Sequence, residues 1–276
     1  MSSAPAVEVD ARFEAAAHGQ RFCLIHRPAS DRPRRGVLVH AHPFAEEMNK
    51  CRRMIALTAR SLAADGWTVV QPDLFGCGDS DGDFGDATIE QWVDDLAVVA
   101  ERHASIDRLV LWGTRAGVLL LPPLLERGLT ADLLLWQPVL SGRQHLQQFL
   151  RLSAAAVLVG SKRAADSEAP KARLDRGEVV AIAGYLLAPA LALQLDRLQL
   201  VLPVGFAGRV IMLEVAATDT SMLSSALAQL AESWRAQGVA VTTEAVTGPL
   251  FWQTQEIAEC ATLAERTLDL LRSGEG

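Results

Sequence analysis

The five residues Gly113-Thr114-Arg115-Ala116-Gly117 keep the G-x-S-x-G spacing of a strand-to-helix turn that presents a nucleophile, but arginine stands in the serine position. A guanidinium stays protonated and has no lone pair to offer, so this turn cannot attack a carbonyl. The partners of such a nucleophile are also displaced. The six histidines are His18, His26, His40, His42, His103 and His145, and none follows the last expected strand, where a general base would sit. The segment at that place, Gly248-Pro249-Leu250-Phe251-Trp252, offers no proton acceptor. Asp219 is the best match to the acid of a triad, and it also reads as a helix N-cap ahead of Ser221.

Arg115 therefore brings its own electrostatic demand. A helix N-terminus already favours anions, and a like charge placed there costs roughly 0.3–1 kcal/mol when exposed and more when buried. Glu46, Glu47 and Asp219 are the internal candidates to answer it. Four readings follow. Arg115 pairs with Glu46 or Glu47 and locks the turn; or Arg115, Thr114 and the turn's N–H groups bind the carboxylate or phosphate of a small anionic or acyl ligand. Alternatively His40 or His42 activates water while Arg115 stabilises an oxyanion, or Arg115 reaches solvent from an unused cleft. Phe44, Glu46, Glu47, Thr114, Ala116, Phe251 and Trp252 are the expected ligand contacts.

Other reactive types have plainer readings. His40 and His42 lie two apart on one strand and share a face, where backbone groups would also satisfy them. Cys77 and Ser80, within a glycine-rich stretch, suit turn chemistry as well as nucleophilic chemistry. His40-x-His42 has no third ligand at a recognisable offset, so no metal and no cofactor are expected.

These residues need a scaffold, and the 276-residue chain, half apolar, can bury one large core. Its formal net charge of -7 argues against a nucleic-acid partner or an anionic membrane surface. The arginines between Arg32 and Arg35 read as a solvated loop. Four scattered cysteines and no signal-like start suggest reduced thiols and a cytoplasmic location. The uncharged stretch 179–195 contains Gly184 and Pro189 and falls short of the ~20 residues that cross a bilayer.

Segments 12–17 and 21–26 suit two antiparallel edge strands. Strands are then predicted at 36–40, 67–71, 108–112 and 133–136, alternating with helices at 48–64, 89–104 and 116–127. Segment 138–200 breaks this rhythm, with a polar connection at 161–176, a short strand at 178–183 and a helix at 189–198. Strand 210–215, helix 221–237, strand 239–245 and helix 254–272 resume it. Such alternation implies a mainly parallel, doubly wound α/β sheet with functional residues at the strands' carboxyl ends.

The segments HAHPFAEEMNK (40–50), PDLFGCGDSDG (72–82), LWGTRAG (111–117) and LLWQPVLSG (134–142), with GPLFWQTQEI (248–257), resemble the exosortase A system-associated hydrolase 2 subfamily of α/β-hydrolases. The resemblance spans most of the chain. It implies the α/β-hydrolase fold, with a core at 1–137 and 201–276 and a helical lid at 138–200. It also implies an ester or thioester hydrolase of bacterial protein-sorting and exopolysaccharide systems, here with a degenerate triad. A noncatalytic ligand-binding or scaffold role is the alternative. The apolar part of the lid serves as lid core or as a homodimer surface, and the resemblance permits contact with membrane-bound secretion machinery.

Overall fold

The computed structural model describes residues 7–104, 108–158, 168–218 and 222–273, without the side chains of 153–158. In chain order the elements are β1 (Val7–Ala16), β2 (Gly19–Pro28), β3 (Gly36–Ala41), α1 (Glu46–Ala64), β4 (Trp67–Pro72), α2 (Ile89–His103), β5 (Leu109–Thr114), a 3-10 turn (Arg115–Leu120), α3 (Leu121–Leu125) and β6 (Asp132–Trp136). There follow α4 (Gly142–Leu158), α5 (Pro170–Asp175), β7 (Val180–Ile182), β8 (Tyr185–Leu187), α6 (Pro189–Arg197), β9 (Arg209–Ala216), α7 (Ser225–Ala236), β10 (Ala240–Thr247) and α8 (Ala261–Ser273).

Eight strands form one sheet in the order β1-β2-β4-β3-β5-β6-β9-β10. β1, β2 and β4 pair antiparallel, and every pairing from β4 to β10 is parallel. The middle strands are wholly buried, because helices cover both faces of a parallel sheet. Strand periodicity then assigns side chains to layers. Val37, Val39, Leu111 and Leu135 join one apolar layer with α2, while Leu38, Val110, Trp112, Leu134 and Trp136 join the other with α1 and α8. α2 is fixed at its start by a capping box between Thr88 and Gln91, which satisfies two of the helix's free N–H groups.

Between β6 and β9 runs a long segment whose two ends meet. Gly142 N–H donates to Leu198 O at 2.9 Å, Leu200 N–H donates to Leu140 O at 3.0 Å, and Ser141 bridges Gln199. Only glycine fits at position 142, since a Cβ there would lie 1.8 Å from Leu195 O. Leu146, Phe149, Leu191 and Leu195 from this segment share one apolar cluster with Phe44, Phe84 and Trp92 of the core. Each such side chain contributes about 1.5–3 kcal/mol on burial, so the segment packs as part of the body.

Several elements depart from the sequence-based expectation. The helix expected at 116–127 is a 3-10 turn followed by the five-residue α3, because Pro122 and Pro123 lack N–H donors and fit only its first turn. The helix expected from 254 begins at Ala261, and the one expected from 221 begins at Ser225. The strand expected at 178–183 is β7, paired with the unexpected β8, and α4 was not anticipated. Among the described residues no helix is long and apolar enough to cross a membrane.

Candidate functional site

At the carboxyl end of β5, Thr114 is extended and Arg115 turns to φ 54° before the 3-10 turn begins. This left-handed backbone is disfavoured for a side chain with Cβ, by roughly 1–2 kcal/mol. It persists because the neighbours leave no other path. A Cβ on Gly113 would lie 2.8 Å from Val118 Cα, and one on Gly117 would lie 2.2 Å from Ala41 O. The turn thus has the shape that exposes a nucleophile at the top of a sheet, with arginine at its apex.

The arginine is answered from α1. Its Nη2 donates to Glu47 Oε1 at 3.0 Å, and its Nε lies 3.3 and 3.2 Å from Oε1 and Oε2. The two side chains are only 13% and 12% exposed, and the guanidinium carbon sits 5.2 Å from the centroid of the Trp252 ring. A partly desolvated ion pair and a cation-π contact therefore hold the group together.

Glu46 turns elsewhere. Its Oε2 is buried without a hydrogen-bond partner, and burial, reinforced by the neighbouring Glu47, raises its pKa above the ordinary carboxylate value. It lines a cavity of about 260 Å³ with Phe44, Glu47, Lys50, His145 and Trp252 among its walls. Four of the seven expected ligand contacts, Phe44, Glu46, Glu47 and Trp252, meet there. Thr114, Ala116 and Phe251 do not line it. Thr114 is fully buried, Phe251 packs against Trp252 and Trp136, and Ala116 borders a void of about 10 Å³ with His42, Leu120, Leu195 and Leu198. That void holds at most about one water, so α6 leaves no room there for an acyl chain.

His40 lies on β3 and His42 just beyond its end, not both on the strand as expected, and each is committed to the protein. His40 Nε2 shares a hydrogen bond with Thr114 Oγ1 at 3.1 Å, and its ring lies 4.7 Å from that of Trp112. His42 Nδ1 donates to Pro43 O at 2.8 Å while its Nε2 accepts from Leu74 N–H at 3.4 Å. Burial lowers the pKa of both rings and keeps them neutral. Asp219 lies outside the described residues.

His145, on α4, is a site residue the sequence does not single out, because a general base is expected after the last strand. It is 5% exposed, lies edge-on to Phe44 with ring centroids 5.7 Å apart, and its Nδ1 has no partner. Burial lowers its pKa, with Glu47 and Arg115 acting in opposite directions. The spacing of His145, Phe149 and Leu152 at i, i+4 and i+7 was the available signal for one helix face.

Neither remaining nucleophile candidate is free to react. Ser80 Oγ donates to Asp73 O at 2.5 Å and accepts from Phe22 N–H at 2.8 Å, which ties the loop after β4 to β2. Burial pushes the Cys77 thiol far above its ordinary value, so almost no thiolate exists near neutrality. All four cysteines are buried and unbridged.

The mostly parallel sheet with helices on both faces and the turn at φ 54° after β5 are those of the α/β-hydrolase fold. Solved structures agree. The chain is similar to Est1E from Butyrivibrio proteoclasticus, solved with ferulic acid bound (TM-score 0.64, 13% identity, 95% of this chain and 98% of that one). It is also similar to a thermostable carboxyl esterase from Bacillus coagulans (0.61, 13%, 96% and 98%) and to the α/β hydrolase GrgF from Penicillium sp. sh18 (0.60, 16%, 96% and 98%). No protein-family model matches the sequence, and no curated protein does.

Proposed function

We propose that this protein binds a small ligand on a hydrolase scaffold, without Ser-His-Asp turnover, in service of a bacterial exosortase and exopolysaccharide system. The observation that carries the reading is Arg115 itself: the apex of the turn is a cation tied to Glu47 and Trp252, not a nucleophile. The near-absence of space beside Ala116 supports it, since an acyl enzyme needs room for its acyl group. In this reading segment 138–200 is the lid over a core formed by 1–137 and 201–276. The exosortase link rests on the sequence resemblance alone.

The test is turnover of p-nitrophenyl butyrate, butyryl thioesters and aminoacyl p-nitroanilides by the wild type. Background rates are expected throughout, and a saturable rate above background would overturn the reading. A second reading, hydrolysis by water activated at His145, is favoured by that residue's place in the cavity wall and by the burial that lowers its pKa. It requires turnover that His145→Phe abolishes.

A further inference from the structure

The sheet ends at β1 with an open side. Among the described residues no strand pairs with its outer edge, and its pairing with β2 runs unbroken from Val7↔Pro28 to Ala16↔Gly19 without a bulge. Phe22 on β2 fixes which way the backbone faces. Its N–H donates to Ser80 Oγ at 2.8 Å and its carbonyl accepts from Asp73 N–H at 2.8 Å, both on the side away from β1. Its partner Phe13 therefore points its own N–H and C=O away from β2, and the alternation of a strand extends this to Val7, Val9, Ala11 and Ala15. Ala15 O is met by Arg102 Nη2 at 2.9 Å, and the rest of the row faces outward.

Proteins commonly blunt such an edge with proline, lysine or a bulge. β1 has none of these. At the opposite edge β10 carries polar Thr242, Thr243 and Glu244, and Arg235 donates to Val241 O at 3.2 and 3.0 Å. The side chains of β1 add a second feature. Val7, Val9, Ala11, Phe13 and Ala15 make one of its faces wholly apolar. Val9 and Phe13 are 46% and 55% exposed, with Phe13 edge-on to Phe22. Glu8, Asp10, Arg12 and Glu14 lie on the other face.

We infer that β1 pairs antiparallel with β1 of a second copy of this chain, about a two-fold axis at Ala11, joining two sheets into one. Only the odd-numbered residues offer free backbone groups, so odd must oppose odd. Among such registers, axes at Val9, Asp10 and Arg12 set Asp10 against Glu8, Asp10 and Glu14 respectively, and an axis at Phe13 leaves Val7 and Val9 unpaired. The axis at Ala11 places Asp10 opposite Arg12 and Val9 opposite Phe13, each twice by symmetry. It also brings Glu8 opposite Glu14, whose carboxylate is already held by Arg12 and Arg102 at 2.6 and 2.7 Å. The charge pattern of β1 is thus complementary to itself in one register, and a second copy is the partner that carries the matching strand.

The experiment is sedimentation velocity of the full chain at rising concentration, joined to disulfide trapping. The wild type should show a reversible monomer–dimer equilibrium. Phe13→Lys puts a charge into both apolar cross-strand pairs and should weaken association at least about tenfold. Ala11→Pro removes an N–H that the single chain leaves in solvent, so it should spare the fold and abolish the dimer. Urea midpoints matching the monomeric wild type would show that both variants are folded. Ala11→Cys should crosslink under mild oxidation, because the paired Cα atoms would lie about 5.5 Å apart, and Asp10→Cys should not. All four native cysteines are buried and do not compete. A chain that stays monomeric up to about 1 mM overturns the inference. So does a dimer that persists in both edge variants, which would use another surface, or one trapped by Asp10→Cys but not by Ala11→Cys.

Discussion

The Arg115 guanidinium and the Glu47 carboxylate meet across 68 residues of sequence, with Nη2 3.0 Å from Oε1. One group comes from the apex of a strained turn and the other from the first turn of α1, so the contact ties the ends of two central strands together. Removing one partner leaves the other charge partly desolvated and alone. Glu47→Ala should therefore cost about 1–3 kcal/mol, between the values for exposed and fully buried pairs. Arg115→Ala should cost less, because it also relieves the like charge at a helix start. The double variant should fall short of the sum by more than about 0.5 kcal/mol, as contacting residues do. Urea midpoints of the four proteins would show this, and strict additivity would mean that the pair contributes no coupling.

Restoring a serine should not restore chemistry. In Arg115→Ser the hydroxyl would stand at the right place with neither His40 nor His42 free to serve it: His40 is bonded to Thr114, and His42 uses both ring nitrogens on backbone groups. Without a base the nucleophile keeps its proton, and removal of the base alone costs a serine hydrolase nearly all of its rate. Ester and thioester turnover by Arg115→Ser is expected at background. A burst of bound acyl group, seen by mass spectrometry, would identify a base that this geometry does not provide.

The sheet was legible because its middle strands are buried on both faces and must read as unbroken apolar runs, as in Gly36–Ala41 and Leu109–Thr114. The turn was legible through Gly113 and Gly117, whose missing side chains the close approach demands. The partner of Arg115 was not. Glu46 and Glu47 are adjacent on a helix and point about 100° apart, and sequence alone does not say which one faces the turn. The hairpin of β7 and β8 has three-residue strands, too short for a period of two to register. His145 escaped because it arrives from the segment between β6 and β9, whose placement over the sheet depends on long-range packing of residues such as Phe149 and Leu195.

Gly117 allows a direct test of how tightly the turn is held. In Gly117→Ala the new methyl would lie 2.2 Å from Ala41 O and 2.6 Å from His42 O, both backbone atoms that cannot rotate away. Either β3 or the 3-10 turn must move, at a cost of about 1–3 kcal/mol. Because Arg115 lies two residues away, the shift should also loosen its contact with Trp252 and change indole fluorescence. Unaltered stability and fluorescence would mean that the backbone approach is looser than described.

Acid should destabilise the fold in two steps that can be separated. His26, His40, His42, His103 and His145 all have pKa values lowered by burial. Below the ordinary value of 6.5 the unfolded chain therefore binds protons that the native state refuses, and stability falls as pH drops from there. Glu14 acts lower down. Burial alone would raise its carboxyl, but hydrogen bonds from Arg102 and Arg12, with His103 beside them, outweigh it and bring the pKa from 4.5 to about 2. That contribution is fully present above 4.5 and disappears as pH falls toward 2. Glu46 and Asp95, whose pKa values burial raises, act in the opposite direction within their own range. Differences between variants are cleaner than one profile for this reason. Urea midpoints at pH 7.5, 5.5, 4 and 3 should show His145→Phe reducing the decline between about 7 and 5, while Glu14→Gln flattens only the part below 4.5. If the wild type holds its midpoint from 7.5 to 5.5, the buried histidines are taking up protons in the native state. His145 would then be a charged group in the cavity instead of a neutral one.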